Sequence, residues 1–364
     1  MKGIFRFTIA SLLFPLLLTL GILSVLIAQQ SNINSPINSH ISTELVAIVF
    51  VLSTMFLVHV AERLLPYRRD WNNNRGDTKA DITSLAMIIA VLDPLIKIAT
   101  LWTSSLALSY IAQDTIISVF PQQWPILAQL ALFIIATEFG RYWIHRASHT
   151  QTLLWRFHAS HHSAERLYQF NGYRIHPINY LWNYVLGQFP LVLLGAGPDV
   201  IMLYFVFSSI TAAFQHANID SKNGVLNYLL STNELHRWHH STDSTIGYKN
   251  HGSVVILWDI IFGSYYLGNK NNLKDVGLMH PRSYPINSYI KQIAAPFCWQ
   301  RCVTNEKSNS VTVIDSRTGE VETTLEIGDR PRGIGLSPDQ KTLYVALSEE
   351  NAIAMVDVAT LKTL

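Results

Sequence analysis

The sequence predicts an all-α integral membrane protein: a multi-span helical bundle with a cytoplasmic, histidine-rich cap fit for two metals, then a short β-rich C-terminal fragment. Three observations carry this expectation. Of the 364 residues, 49% are hydrophobic and only 14% charged, against about 25% charged in an average chain. Several apolar runs are long enough to cross a bilayer. Ten of the fourteen histidines fall between positions 145 and 240, each beside an apolar, helix-forming run.

Residues 4–28 form the first such run, after the basic start MKGIFR. It exceeds a signal-peptide core and no A-x-A site follows, so it reads as a span rather than a cleaved leader. A second span covers 45–62. The loop behind it holds Arg63, Arg68, Arg69, Arg75 and Lys79, whereas 29–44 has no Lys or Arg. The positive-inside rule therefore puts the N-terminus and the 63–80 loop in the cytoplasm and 29–44 outside. Residues 82–112 are apolar but interrupted by Asp93-Pro94, with Lys97 beyond. Proline removes a backbone donor and a mid-membrane charge is costly, so a kinked span with structural ion pairing is expected. The loop 113–123 carries only Asp114 and fits the outside. Residues 124–144 return inward and run into His145. The apolar pair 179–194 and 198–215, turning at Gly195, Gly197 and Pro198, goes out or dips in and brings His216 back. Residues 253–263 are too short to span and suit a buried or interfacial helix.

These elements divide the chain into an N-terminal span and external loop (1–43), a membrane domain (44–302) and a tail (303–364). Charge separates the tail, with 6 basic and 10 acidic residues, from the remainder, with 21 and 15. The tail alternates β-branched runs with turn residues. VTNEKSNSVTVID at 303–315 realigns with VALSEENAIAMVD at 345–357, and the wording is similar to YVTN-type β-propeller repeats. About one and a half repeats cannot close a propeller of about four to eight blades, and its open strand edges invite aggregation. The tail is expected to be a fragment, truncated or fused, without assigned function. Cys298 and Cys302 supply neither a disulfide framework nor a Cys-rich zinc site.

The histidines fall in three clusters: His145-x3-His149, His158-x2-His161-His162 and His236-x2-His239-His240, with His176 and His216 between. Residues three and four apart share a helix face, so each cluster aims its imidazoles one way. Neutral imidazole binds Zn, Cu, Fe and Ni. One ion takes roughly four to six donors, so eight to ten histidines suit two metals. His251 is a weaker candidate; His40, His59 and His280 look peripheral. No H-E-x-x-H motif is present, which argues against a metalloprotease. The residues alone leave open a non-catalytic metal binder and a bis-histidine haem carrier.

HRASH, HASHH and HRWHH resemble the three histidine boxes of the fatty acid hydroxylase superfamily, which includes sterol desaturases, sphingolipid and carotenoid hydroxylases and alkylglycerol monooxygenases. The Arg174–Pro177 step, His216-x-Asn218 and LWDIIFGSY agree with it, and the resemblance covers roughly 45–285. It implies a membrane enzyme with two non-haem irons that hydroxylates or desaturates a lipid (fatty acyl, sterol-like or ether) using O2 and two electrons. By matching position the ligands would be His145, His149, His158, His161, His162, His236, His239 and His240. His216 would be a ninth, and His176 a tenth or a partner that orients a ligand. Arg174 and Asn218 would support ligands or touch a head group. No cytochrome b5-like or flavin module is evident, so electrons would come from a separate reductase, ferredoxin or cytochrome. No nucleic-acid partner is implied. Tyr142, Trp143, Trp155, Tyr168, Tyr173 and Trp182 are candidate pocket or interfacial aromatics.

Overall fold

Long apolar runs become long helices in the computed structural model, the first continuing through Pro15. It describes residues 2–34, 42–100, 102, 119–269, 272–273, 275–278, 284–298, 301–314, 321–337 and 341–364. Helix α1 is Lys2–Asn34 and α2 is Thr43–Leu64. Ser42 caps α2, its hydroxyl accepting from the Leu45 N–H at 3.1 Å. Helix α3, Thr78–Met87, passes through a π-helical turn at Ile88–Leu92 and continues to residue 100. Pro94 cannot donate to the carbonyl four residues back, and the ladder widens just before it, with the Asp93 N–H bonded to the Ile88 carbonyl. The expected kink is therefore a π-turn. Asp93 accepts a hydrogen bond from the Tyr180 hydroxyl. Much of the 29–44 and 113–123 loops, the end of the 82–112 run, His40 and His280 lie outside the described residues.

Helix α4, Ile126–Thr150, carries the first histidine cluster on its last turns. One residue later α5, Thr152–His162, carries the second. The expected apolar leg 179–194 is instead two short helices, α6 Pro177–Leu186 and α7 Gln188–Leu193, split at Gly187. Pro190 in the first turn of α7 removes a donor that a continuous helix would need. Helix α8 is Pro198–Gln215, α9 is Asn233–His239, α10 is Ser244–Gly247 and α11 is Leu257–Ile261. Among the described residues four helices are long and apolar enough to cross a membrane: Thr8–Ser31, Thr43–Leu64, Thr78–Thr100 and Pro198–Gln215. The run leading into His145 is not among them, and it carries Glu138 and Arg141 mid-helix.

Helices α1, α2 and α8 pack against one another. Phe14 meets Phe214 with ring centroids 4.8 Å apart, and Val58, Leu203, Val206 and Ile210 are fully buried. Their outer faces present Leu12, Leu16, Ile27, Leu52 and Phe56. A helix apolar on both faces suits lipid rather than water. Polar anchors set the cap beneath. The Glu62 carboxylate accepts the N–H groups of Gln169 and Asn218, tying α2 to two distant loops. Arg166 grips Asp77 and Arg174 grips Asp81, both pairs buried, which fixes the start of α3 against the segment following α5.

Met1–Gly277 and Leu278–Leu364 are separate compact units. Among its described residues the second holds α12, Tyr289–Cys298, and seven strands: β1 Arg301–Asn305, β2 Ser310–Ile314, β3 Val321–Glu326, β4 Pro331–Leu336, β5 Thr342–Leu347, β6 Ala352–Asp357 and β7 Lys362–Thr363. They form antiparallel meanders, β1-β2-β3 and β4-β5-β6-β7. The internal repeat carries β1–β3 onto β5–β7, and Asn309 and Asn351, matched by it, both turn with φ 51°. Asparagine tolerates that left-handed conformation better than most residues.

Candidate metal centre

The cap brings nine histidines into two groups. His145, His149, His158, His162 and His239 form the first; His161, His216, His236 and His240 form the second. Within each group one donor nitrogen per ring lies within 4.8 Å of all the others. The boxes do not map one to a group. Helix α5 sends His158 and His162 to the first and His161 to the second. Helix α9 with its C-cap residue does the reverse, sending His236 and His240 to the second and His239 to the first. The groups are neighbours: the His162 and His240 rings stack with centroids 4.3 Å apart.

Four outer ring nitrogens are bonded to oxygen acceptors, which assigns the protons of those four rings. Nδ1–H donates to the His251 carbonyl from His145 (2.6 Å), to Asn179 Oδ1 from His158 (2.9 Å), to the Lys249 carbonyl from His239 (2.8 Å) and to Asn171 Oδ1 from His216 (2.7 Å). In these rings Nε2 then carries only a lone pair. Yet His145 Nε2 and His158 Nε2 face each other at 3.0 Å, with no hydrogen between them. His162 Nε2 stands 3.1 Å from the Nε2 atoms of both His158 and His239. In the second group His216 and His236 approach to 3.0 Å, and His240 lies 3.2 Å from both His161 and His236.

Converging lone pairs, as at His145 and His158, repel unless a cation sits among them. Metal–imidazole bonds of about 2.1 Å place neighbouring donors about 3.0–3.4 Å apart around one ion. The donor set therefore fits metal binding. A haem is disfavoured, because donors packed this closely leave no slot for a macrocycle. Burial is the main force on the rings' protonation. It pushes His158 down to about 4 and His236 to about 3, and takes the other seven well below the usual imidazole value, helped by their neighbours. Burial thus favours the neutral form, the one that ligates.

Other expected site residues take different places. His176 lies in neither group; its Nδ1 caps α6, accepting the Ile178 N–H at 3.1 Å. Arg174 is fully buried against Asp81, donates to Ser163 Oγ at 3.0 Å, and its charge acts on His161 and His216. Asn218 clasps the Arg68 backbone and the Asn72 side chain, fastening that loop. His251 contributes its carbonyl, not a clustered ring nitrogen. Of the aromatics, Trp155 packs on His149 and His162, whereas the Tyr168 hydroxyl donates to Asp81 and Trp182 packs on Phe157. Asn171 and Asn179 were missed. Both sit beside marked residues, but nothing in their local sequence says which ring they face.

The family model described as fatty acid hydroxylase matches residues 130–264. The chain is 31% identical over 354 residues to the ornithine lipid hydroxylase OlsE of Rhizobium tropici, covering 96% of this chain and 95% of that one. It is 29% identical over 147 residues to the alkylglycerol monooxygenase of Homo sapiens, covering 40% of this chain and 32% of that one. It is 30% identical over 149 residues to a probable Delta(7)-sterol 5(6)-desaturase of Neurospora crassa, covering 40% of each. No solved structure matches. The first match is too long to stop before residue 303, so at least part of the strand-rich tail has a counterpart in that relative.

Proposed function

The chain belongs to the fatty acid hydroxylase family, a membrane-associated lipid-modifying oxygenase and O2-dependent oxidoreductase, and from that premise we propose that it works with two irons, one in each histidine group. The observation that carries the proposal is the division of nine buried histidines into two adjacent sets of five and four donors. Bound iron would supply what no side chain can, an oxidant strong enough for an unactivated C–H bond.

The chain's own residues do the rest. His145, His149, His158, His162 and His239 would hold one ion, and His161, His216, His236 and His240 the other. Carbonyls 249 and 251, Asn179 and Asn171 keep the Nδ1 protons and turn the Nε2 lone pairs inward. Burial excludes water, which would otherwise compete for the ligands. Arg63, Arg68, Arg69, Arg75 and Lys79 support a cytoplasmic placement of the cap. A separate reductase, ferredoxin or cytochrome delivers the electrons. Residues 44–302 are the catalytic domain in this reading, 1–43 a leading span and 303–364 an appended unit. The long match to an ornithine lipid hydroxylase makes an acylated amino-acid lipid the first substrate class to test, ahead of sterol-like and ether lipids.

Lipid profiling of a strain expressing the full chain tests this. The wild type should add an oxygen atom, or remove two hydrogens, on one lipid class in an O2-dependent manner. His161→Ala should abolish the product and lower bound iron while the protein still inserts. Full turnover in His161→Ala would contradict the ligand assignment.

A further inference from the structure

The first histidine group takes two of its ring orientations from one short loop. His145 on α4 donates to the carbonyl of residue 251, and His239 on α9 donates to the carbonyl of residue 249. Two buried carboxylates hold this loop. Asp259, fully buried in α11, accepts the His251 and Gly252 N–H groups and the Ser264 hydroxyl, each at 2.7 Å. Glu138, fully buried in α4, accepts the N–H groups of Ser253 and Val254 at 2.8 and 2.7 Å. Gly252 leaves no room for a side chain: a Cβ would lie 2.3 Å from the Val255 carbonyl oxygen and 3.1 Å from Asp259 Oδ2.

The Gly252 N–H and the His251 carbonyl belong to the same peptide group. Asp259 binds one end of that amide and His145 the other. The chain carboxylate–peptide–imidazole is therefore continuous across a single amide plane. A carboxylate on the N–H side polarises the carbonyl, which becomes a stronger acceptor for the imidazole proton and leaves Nε2 more basic. His239 has a parallel chain, through the 249–250 peptide group to the Ser264 carbonyl, and the Ser264 hydroxyl is again held by Asp259. Among the described residues no ring of the second group bonds to this loop; His216 uses Asn171 instead.

We propose that Asp259 is a positioning residue for the first histidine group alone, acting on His145 through the Gly252 peptide group, with Glu138 holding the same loop from α4. The proposal rests on the two-iron reading and adds an asymmetry to it: the two ions answer to different supports. Partners of this kind typically set metal affinity by about 10–100-fold.

The test is anaerobic ferrous-iron retention by the full chain in detergent, read by competition with a coloured chelator, for wild type, Asp259→Asn and Glu138→Gln. Two irons should be held by the wild type. In Asp259→Asn one should be released about 10–100-fold more readily while the other keeps its wild-type affinity. Glu138→Gln keeps an acceptor for both N–H groups while losing the charge, so it should move the same iron in the same direction, less far. It decides the matter if Asp259→Asn elutes as an aggregate. Equal weakening of both irons, or of neither, overturns the relay. A wild-type chain that holds a single iron overturns the two-metal reading and the relay together.

Discussion

Rings that must stay uncharged in order to ligate are the source of both the chemistry and a stability cost. In the folded chain burial holds His158 near 4 and His236 near 3. In the unfolded chain an imidazole binds its proton near pH 6.5. Stability contributed by neutral burial is therefore present above about pH 6.5 and is lost as the pH falls from there toward about 4. Thermal melts of the chelator-stripped protein in detergent should show Tm falling progressively below about pH 6.5. A Tm flat down to about pH 4.5 would contradict the neutral, buried assignment. At this scale the sequence was legible for residue type but not for allocation. His161 and His162 are adjacent letters, yet they serve different groups. A helix advances about 100° per residue, so i and i+4 differ by about 40° while i+3 and i+4 stand about 100° apart. That angle sends the i, i+4 pair to one group and the i+3 ring to the other. His176, a ring beside Pro177 at a helix start, serves there as a cap.

At the scale of elements, apolar length was legible and breaks were not. Helices α1, α2 and α8 lie close to the runs that announce them, because an uninterrupted apolar stretch in lipid has no alternative to satisfying its own backbone. The 179–194 run fails as a single helix at Gly187, and the run before His145 carries a buried carboxylate that a composition average hides. Contact between helices decides such cases. Gly140 on α4 is one: a Cβ there would lie 1.8 Å from the Leu186 carbonyl oxygen on α6. Gly140→Ala must separate the two helices, and with them His145 and His149 from Asn179, which orients His158. Overpacking of this kind costs about 1–3 kcal/mol. The expected outcome is a Tm lowered by several degrees together with reduced iron retention, followed by thermal melts and elemental analysis. Unchanged values would show that the interface is looser than drawn.

Across the whole molecule, three boxes that are individually weak signals became specific because apolar helices deliver them to one place. The order of boxes and runs conveyed that convergence, and the family match agrees with it. What it could not convey was division: one pool of histidines in the sequence is two sets in space, with separate supports. The tail shows the opposite balance. Its strands and its repeat were readable from β-branched alternation, whereas a relative's alignment over 96% of the chain, reaching into the tail, was not. The most direct measurement of the central claim is an anomalous difference map at the iron edge from crystals of the iron-loaded full chain. Two peaks should appear, one bonded to His145, His149, His158, His162 and His239 and the other to His161, His216, His236 and His240. A single peak, or a peak ligated by His176, would contradict it.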